Sequence, residues 1–266
     1  MPDNPSPERR PPLLRHLCLM VPRLEPAVAT LRAAFGLEVA HREPLVGMWD
    51  VENAVMPVGT HFLECCAPLR PGSAAARYLT KHPQGGAYLL VMACDDLPRR
   101  RARLDGMGIR VVTELCTPGF RNLQMHPRDT GACMLEFNHH NNSQAPLGPY
   151  APAGPAWQRA IRTDWVDGLS AVEVRSRTPE RLAAHWGRIT ETPVTRNAQG
   201  PLLRLGTTVR FALADDDEPQ GIAVVELSAR HPEATLARAL RAGVLPGSRP
   251  DTLALFGLDF RLVPPA

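Results

Sequence analysis

Lysine is almost missing from this chain of 266 residues. Lys81 is the only one, and arginine carries nearly all of the positive charge. The net charge is only +3 and the basic residues are dispersed, so the footprint of a nucleic-acid-binding protein is absent. No apolar run approaches the roughly 18 residues that a membrane helix needs. The start, MPDNPSPERRPP, is polar and proline-rich, unlike a secretory leader. A cytoplasmic location is therefore expected. Cysteine is absent beyond Cys133. Cys18, Cys65, Cys66, Cys94, Cys116 and Cys133 form no CxxC pair and mostly sit in apolar, strand-like runs. Reduced, mostly buried thiols are expected, rather than disulfides or a zinc–cysteine site. No glycine-rich phosphate loop and no nucleophile elbow is found.

The composition that remains is ordinary for a globular chain, 44% hydrophobic and 21% charged. It is organised as a repeat. LLRHLCLMV reads as a strand, and PRLEPAVATLRAAFG as an amphipathic helix ending at Gly36. LEVAHRE and VENAVMPVGTHFLECCAP then supply strands, the latter two joined at Pro57–Gly59. AYLLVMACDDLPRRRARLDGMGIRVVTEL starts the pattern again, with Leu97 and Leu104 standing 73 residues after Leu24 and Leu31. NLQMHP and ACMLEFN close this second module as a hairpin around RDTG. LSAVEVRS with PERLAAHWGRI begins a third module, and GIAVVELSA with PEATLARALRAGVLPG a fourth. An α+β fold of four degenerate βαβββ modules is the economical reading. The expected division is a disordered tail over 1–14, a unit over 15–142, an exposed proline- and glycine-rich linker over 143–167, and a second unit over 168–266.

The stretches RHLCLMVPRLEPAV, MPVGTHFLECCAP, GGAYLLVMACDD, MGIRVV and HPRDTGACMLEF resemble the vicinal oxygen chelate superfamily, the glyoxalase and bleomycin-resistance fold. The first half is most similar to methylmalonyl-CoA epimerase. The resemblance implies that two modules curl into a half-open, glyoxalase-like barrel around a divalent metal. Two such barrels are then expected, the second a degenerate copy. Carried over residue by residue, it implies metal ligands at His16, Glu64 and Glu136, with Glu136 doubling as the catalytic base. The fourth ligand position, usually histidine, falls at Leu89 by the repeat offset. His16 and Leu89 are thus expected at equivalent strand positions.

The residues carry part of this reading unaided. Strand alternation puts His16 with Cys18 and Met20, Glu64 with Phe62 and Cys66, and Glu136 with Met134. Each polar group sits in an apolar strand, where a lone carboxylate is costly without a compensating cation or hydrogen bonds. One histidine with oxygens suits Mn, Mg, Fe, Co, Ni or Zn without choosing among them. Alternatively, Glu64 and Glu136 point outward to arginines and His16 is an ordinary core histidine. His126, His139 and His140 are candidates for the empty fourth position, although a structural role is the default for each. The resemblance implies that Trp49 and Met48, in the insert VGMWDVENAV, shape the substrate cavity, ordinary core or lid packing being the alternative; Leu89, Arg121 and His126 are further substrate-binding candidates. Arg42 and Arg128 could meet an anion, the default being a solvated face. Glu173 should face outward.

The resulting expectation is an enzyme: a metal-dependent isomerase or lyase that stabilises an enolate from an acyl-CoA thioester or a small 2-oxo or 2-hydroxy acid. A metal-free binding protein or acid–base enzyme is the alternative, favoured by Leu89. A ring-cleaving dioxygenase ranks behind both, because its two-histidine, one-carboxylate triad is incomplete. The expected partners are a small-molecule substrate and, as an assembly, a homodimer; neither nucleic acid nor a membrane is expected.

Overall fold

The computed structural model describes residues 10–140 and 144–265. Strand β1 (Leu13–Met20) leads to helix α1 (Leu24–Phe35), then β2 (Val51–Val58) and β3 (His61–Pro68). Helix α2 (Ala74–Lys81) connects to β4 (Gly86–Ala93), α3 (Leu97–Gly106), β5 (Val111–Thr117), β6 (Phe120–Met125), the short α4 (Pro127–Thr130) and β7 (Met134–His139). These strands form one sheet in the order β2-β3-β1-β4-β7-β6-β5. The second half comprises β8 (Gly168–Ser176), α5 (Pro179–Thr190), β9 (Thr195–Asn197), β10 (Gly200–Leu205), β11 (Thr207–Leu213), β12 (Gly221–Ser228), α6 (Pro232–Arg241), β13 (Leu245–Pro246), β14 (Thr252–Leu255) and β15 (Leu258–Val263). It forms a sheet in the order β13-β14-β15-β12-β8-β11-β10-β9. The fold is α+β, with two multi-stranded sheets each built from a pair of modules.

At the centre of the first sheet β1 runs antiparallel to β4, and each has a parallel outer partner, β3 and β7. The registers show the internal symmetry. His16 pairs with Phe62 and Cys18 with Glu64; Leu89 pairs with Met134 and Val91 with Glu136. His16 and Leu89 therefore hold equivalent positions, as do Glu64 and Glu136. Both central strands bulge once, skipping Arg15 in one and Tyr88 in the other. The bulge breaks strict alternation, so each skipped side chain joins the face of its neighbour.

Alternation decides what lies where. Leu17 and Leu19 of β1 enter the core, while His16, Cys18 and Met20 point to the concave face. Helix α1 presents Leu24, Ala27, Val28, Leu31, Ala34 and Phe35 to the same core at helical spacing. It ends at Gly36, whose φ of 71° is the left-handed conformation a glycine adopts without strain. A single apolar cluster runs through both halves, and Phe35 stacks on Phe260 across them at 6.0 Å. Polar contacts also cross this boundary: the Trp186 indole donates to Thr130 O, and the Arg99 guanidinium pairs with Glu191.

Several expectations are corrected. Of the tail expected over 1–14, residues 1–9 lie outside the described residues, and Leu13 and Leu14 already belong to β1. LEVAHRE is not a strand; only His41 bridges to Val55. Pro44 lacks the donor that a continuing ladder needs, and a 3-10 turn over Pro44–Trp49 follows, capped by Glu43 accepting from Leu45 N. Helix α2, capped by Ser73, escaped the sequence reading. Residues 144–167 are not an exposed linker. Tyr150, Ala153 and Trp157 are buried, and the segment lies as a strap against the first sheet. Tyr150 stacks on Phe62 at 4.4 Å and Trp157 meets the same ring edge-on at 4.9 Å. The bulged Arg15 ties the strap down, donating to Ala145 O and Pro146 O while also holding Thr60 O.

Candidate functional site

The concave face of the first sheet carries a cavity of about 290 Å³. Its polar lining includes His16 and Cys18 on β1 and residues of the strands around it. Glu64 stands on β3 and Glu136 on β7, with Asn53 on β2 and Asn122 on β6. The module symmetry explains both pairs. Asn53 lies opposite Cys66, two residues beyond Glu64, and Asn122 lies opposite Asn138, two residues beyond Glu136. Each asparagine therefore reaches diagonally to its own glutamate, Nδ2 donating at 2.5 Å to Glu64 and at 3.0 Å to Glu136.

The two carboxyls then diverge. Glu64 Oε2 accepts from the Cys18 thiol at 2.5 Å and lies 3.2 Å from His16 Nε2. Burial alone would push Glu64 up. The hydrogen bond and charge of His16, with the Cys18 and Asn53 donors, outweigh it and hold the carboxyl at about 2. Glu136 has only neutral donors, Asn122, Gln124 and Asn138, with Gln124 at 2.8 Å. Burial dominates there, the charge of Glu64 adds to it, and Glu136 is raised to about 7. One glutamate is thus a permanent anion at neutral pH, and the other sits where it can give or take a proton. A pair of carboxyls pushed apart in this way is the arrangement acid–base chemistry uses.

His16 is fixed from behind. Its Nδ1 lies 3.3 Å from the Tyr150 hydroxyl, which itself accepts from Asn138 Nδ2 at 3.3 Å. Nε2–H faces Glu64 whether the ring is protonated or is neutral with the Tyr150 hydroxyl donating to Nδ1. The strap thereby contributes to the site, and its Ala151 and Pro152 line the cavity. Trp49, Leu89, Val91 and Phe120 supply apolar wall, and Glu43 reaches it from the 3-10 turn. A second chamber of about 240 Å³ shares Cys18, Glu64, Trp49 and Leu89 and extends toward Tyr88 and Met134.

Among the sequence-predicted residues, His16, Glu64, Glu136, Trp49 and Leu89 come together here. Arg121 and His126 do not. Arg121 neighbours Asn122 on β6, so alternation turns it away and it is exposed. His126 caps α4, with Nδ1 accepting from Arg128 N. His139 bonds Cys94 O, and His140 bonds Pro149 O beside Tyr150. Met48 is exposed, Arg128 is exposed, and Arg42 pairs with Glu25. Two of the three expected metal ligands, His16 and Glu64, converge with Cys18, which was not among them. Among the described residues, His16, Cys18 and Glu64 bring one donor atom each within 4.8 Å of one another, and Glu136 is outside that grouping. A nitrogen, a thiol sulfur and an anionic oxygen at that spacing fit a small divalent ion.

The second sheet inverts the site. Its registers match the first: Ala171 pairs with Thr208, Glu173 with Arg210, Val224 with Asp259 and Glu226 with Arg261. Arginines, Arg210 and Arg261, thus stand where Glu64 and Glu136 do, and Ala171 stands in place of His16. Glu226 replaces Val91 and pairs with both arginines. Glu173 faces away from the apolar core and pairs with Arg175. Arg261 also pairs with Asp251, so the two arginines are offset by two carboxylates, and no group of three metal-ligating side chains forms among the described residues of this half.

Residues 15–125 match the Glyoxalase/Bleomycin resistance protein/Dioxygenase superfamily. The chain belongs to this superfamily. Within it, the first half is similar to acyl-CoA epimerases. The ethylmalonyl-CoA/methylmalonyl-CoA epimerase of Cereibacter sphaeroides is 31% identical over 130 residues, covering 47% of this chain and 95% of that protein. The mitochondrial methylmalonyl-CoA epimerase of Homo sapiens is 27% identical over 127 residues, covering 47% and 72%. Over both halves the fold is similar to a mutant 4-hydroxymandelate synthase from Streptomyces coelicolor, with a TM-score of 0.66 at 16% identity, covering 88% of this chain and 76% of that one.

The sequence reading missed Asn53, Asn122, Gln124, Glu43, the part played by Cys18, and Tyr150. A signal for Tyr150 existed. Aromatic residues make up only 5% of the chain, yet the supposed linker holds Tyr150, Trp157 and Trp165. Large rings are seldom left in water without a reason.

Proposed function

We propose that the first-half cavity is the active site of an isomerase that moves a proton at the carbon α to a thioester carbonyl. The substrate class is an α-branched malonyl-CoA-like acyl thioester, as the names of the epimerase relatives suggest. One observation carries the reading: a buried carboxyl, Glu136, raised to about 7 beside an ionised partner. A group with that affinity for protons can remove one from a carbon acid and return it near neutral pH. Inversion is served by a second proton-transfer group, and Glu43, whose carboxyl also caps Leu45 N and lies 3.4 Å from His41 Nε2, is the other glutamate lining the cavity besides Glu64. Asn122 and Gln124 orient Glu136, and the apolar wall of Leu89, Val91 and Phe120 keeps water from its carboxyl.

His16, Cys18 and Glu64 would hold a divalent ion, which when bound supplies Lewis-acid stabilisation of an enolate oxygen. The hydrocarbons at Leu89 and Val91 favour a second reading, in which this chain works by acid–base chemistry alone. Incubation with a single epimer of ethylmalonyl-CoA or methylmalonyl-CoA tests the proposal. Both epimers should appear, at equal amounts at equilibrium. A single epimer that persists with protein in excess overturns it for this substrate class.

A further inference from the structure

Leu89 stands where a histidine would complete a four-ligand site, and it lies directly across the β1–β4 pair from Cys18. Side chains so opposed share one face within about 5 Å. The donor missing at Leu89 is thus answered by a thiol on the adjacent strand. Cys66 lies beside Cys18 and Glu64 on the same face, but among the described residues only Cys18 joins His16 and Glu64 in a close group of donor atoms. Cys65, on the opposite face of β3, is packed among core hydrocarbons. Cys18 instead has its sulfur 2.5 Å from Glu64 Oε2 and 3.8 Å from His16 Nε2, and those two lie 3.2 Å apart.

We infer that Cys18 is a metal ligand, forming with His16 and Glu64 a nitrogen, sulfur and oxygen site for a thiophilic divalent ion of the zinc class. The inference rests on the isomerase reading only for the location of the site. Tetrahedral ligation with bonds of about 2.0–2.3 Å sets donor atoms roughly 3.5 Å apart. The contacts of His16 already fall near that value. Only the Cys18–Glu64 contact must widen, as a hydrogen bond gives way to two bonds to the ion. The thiol proton leaves to solvent when the sulfur binds. The imidazole proton moves from Nε2 to Nδ1, where the Tyr150 oxygen can accept it in place of donating. A thiolate in the donor set selects against magnesium and manganese, which prefer oxygen.

Cobalt substitution tests this without recourse to activity. Protein purified without a histidine tag and stripped by chelation is titrated with Co(II). A thiolate-to-cobalt charge-transfer band in the near ultraviolet is expected for the wild type and for Cys66→Ser, and its loss is expected for Cys18→Ser. Zinc should displace the cobalt, while magnesium and manganese should not. Visible cobalt bands without the near-ultraviolet band would show a metal site that lacks Cys18, and overturn the inference. Survival of the band in Cys18→Ser would do the same. Should Cys18→Ser fail to fold, X-ray absorption on the zinc-loaded wild type gives the answer through a Zn–S distance of about 2.3 Å, or its absence. If no cobalt binds, the inference fails, and epimerisation by the stripped protein then decides the isomerase reading separately.

Discussion

Replacing Glu136 by glutamine should stabilise the protein at alkaline pH while removing its proton-transfer group. Glu136 is 4% exposed, and its carboxyl titrates at about 7 against an ordinary 4.5. A carboxyl raised on folding favours the native state while both states are protonated, below about 4.5, and that advantage is lost as pH climbs through 7. Above 7 the native protein must hold a buried anion that the unfolded chain holds in water. At about 1.4 kcal/mol per pH unit, the difference comes to about 3 kcal/mol. Glutamine keeps an oxygen to accept from Asn122 and Gln124 and never ionises. Its own packing cost is the same at every pH, so the informative quantity is the change between pH 5 and pH 8.5. Urea unfolding of wild type and Glu136→Gln at both values measures it. The variant should gain most of that 3 kcal/mol on going from the lower pH to the higher. An equal difference at both would show that Glu136 ionises normally and would remove the basis for its assignment.

Tyr150→Phe retains the stacking on Phe62 but leaves His16 Nδ1 without its partner; zinc affinity, measured by competition with a chromophoric chelator, should drop about 10–100-fold with little change in fold by circular dichroism. Leu89→His places a nitrogen donor opposite Cys18 and should tighten zinc binding in the same assay, whereas unchanged or weaker binding would argue that Leu89 is not at the vacant ligand position. Trp157→Ala opens a cavity beneath the strap and should cost about 3–5 kcal/mol by denaturant unfolding, and a loss under 1 kcal/mol would mean that the strap is not anchored there.

The repeat made the fold legible. Paired apolar positions 73 residues apart placed β1 over β4, and from that register came the equivalence of His16 and Leu89 that the strand pairing shows. Alternation set His16, Cys18 and Glu64 on the concave face because the stretches His16–Met20 and Phe62–Cys66 run without a bulge of their own. It failed to assign Arg15 and Tyr88, which sit at bulges that no local pattern announces. It also could not say which carboxyl would ionise. Glu64 and Glu136 occupy equivalent positions with equivalent asparagines, and only the surroundings, His16 and Cys18 on one side and Gln124 on the other, separate them. The strap was hidden because proline and glycine mark the path of the backbone and not what its side chains cover. Tyr150 reaches His16 across 134 residues of sequence, a contact only the tertiary structure supplies.

Solvent hydrogen exchange tests the central claim most directly. Wild-type protein and Glu136→Gln are incubated with methylmalonyl-CoA in D2O, and deuterium at the α-carbon is followed by mass spectrometry against a protein-free control. Deuterium incorporation by the wild type from either epimer, reduced in Glu136→Gln to the control rate for the epimer whose proton Glu136 takes, is the predicted result. Equal incorporation by both proteins would contradict the assignment of Glu136 as the group that moves the proton.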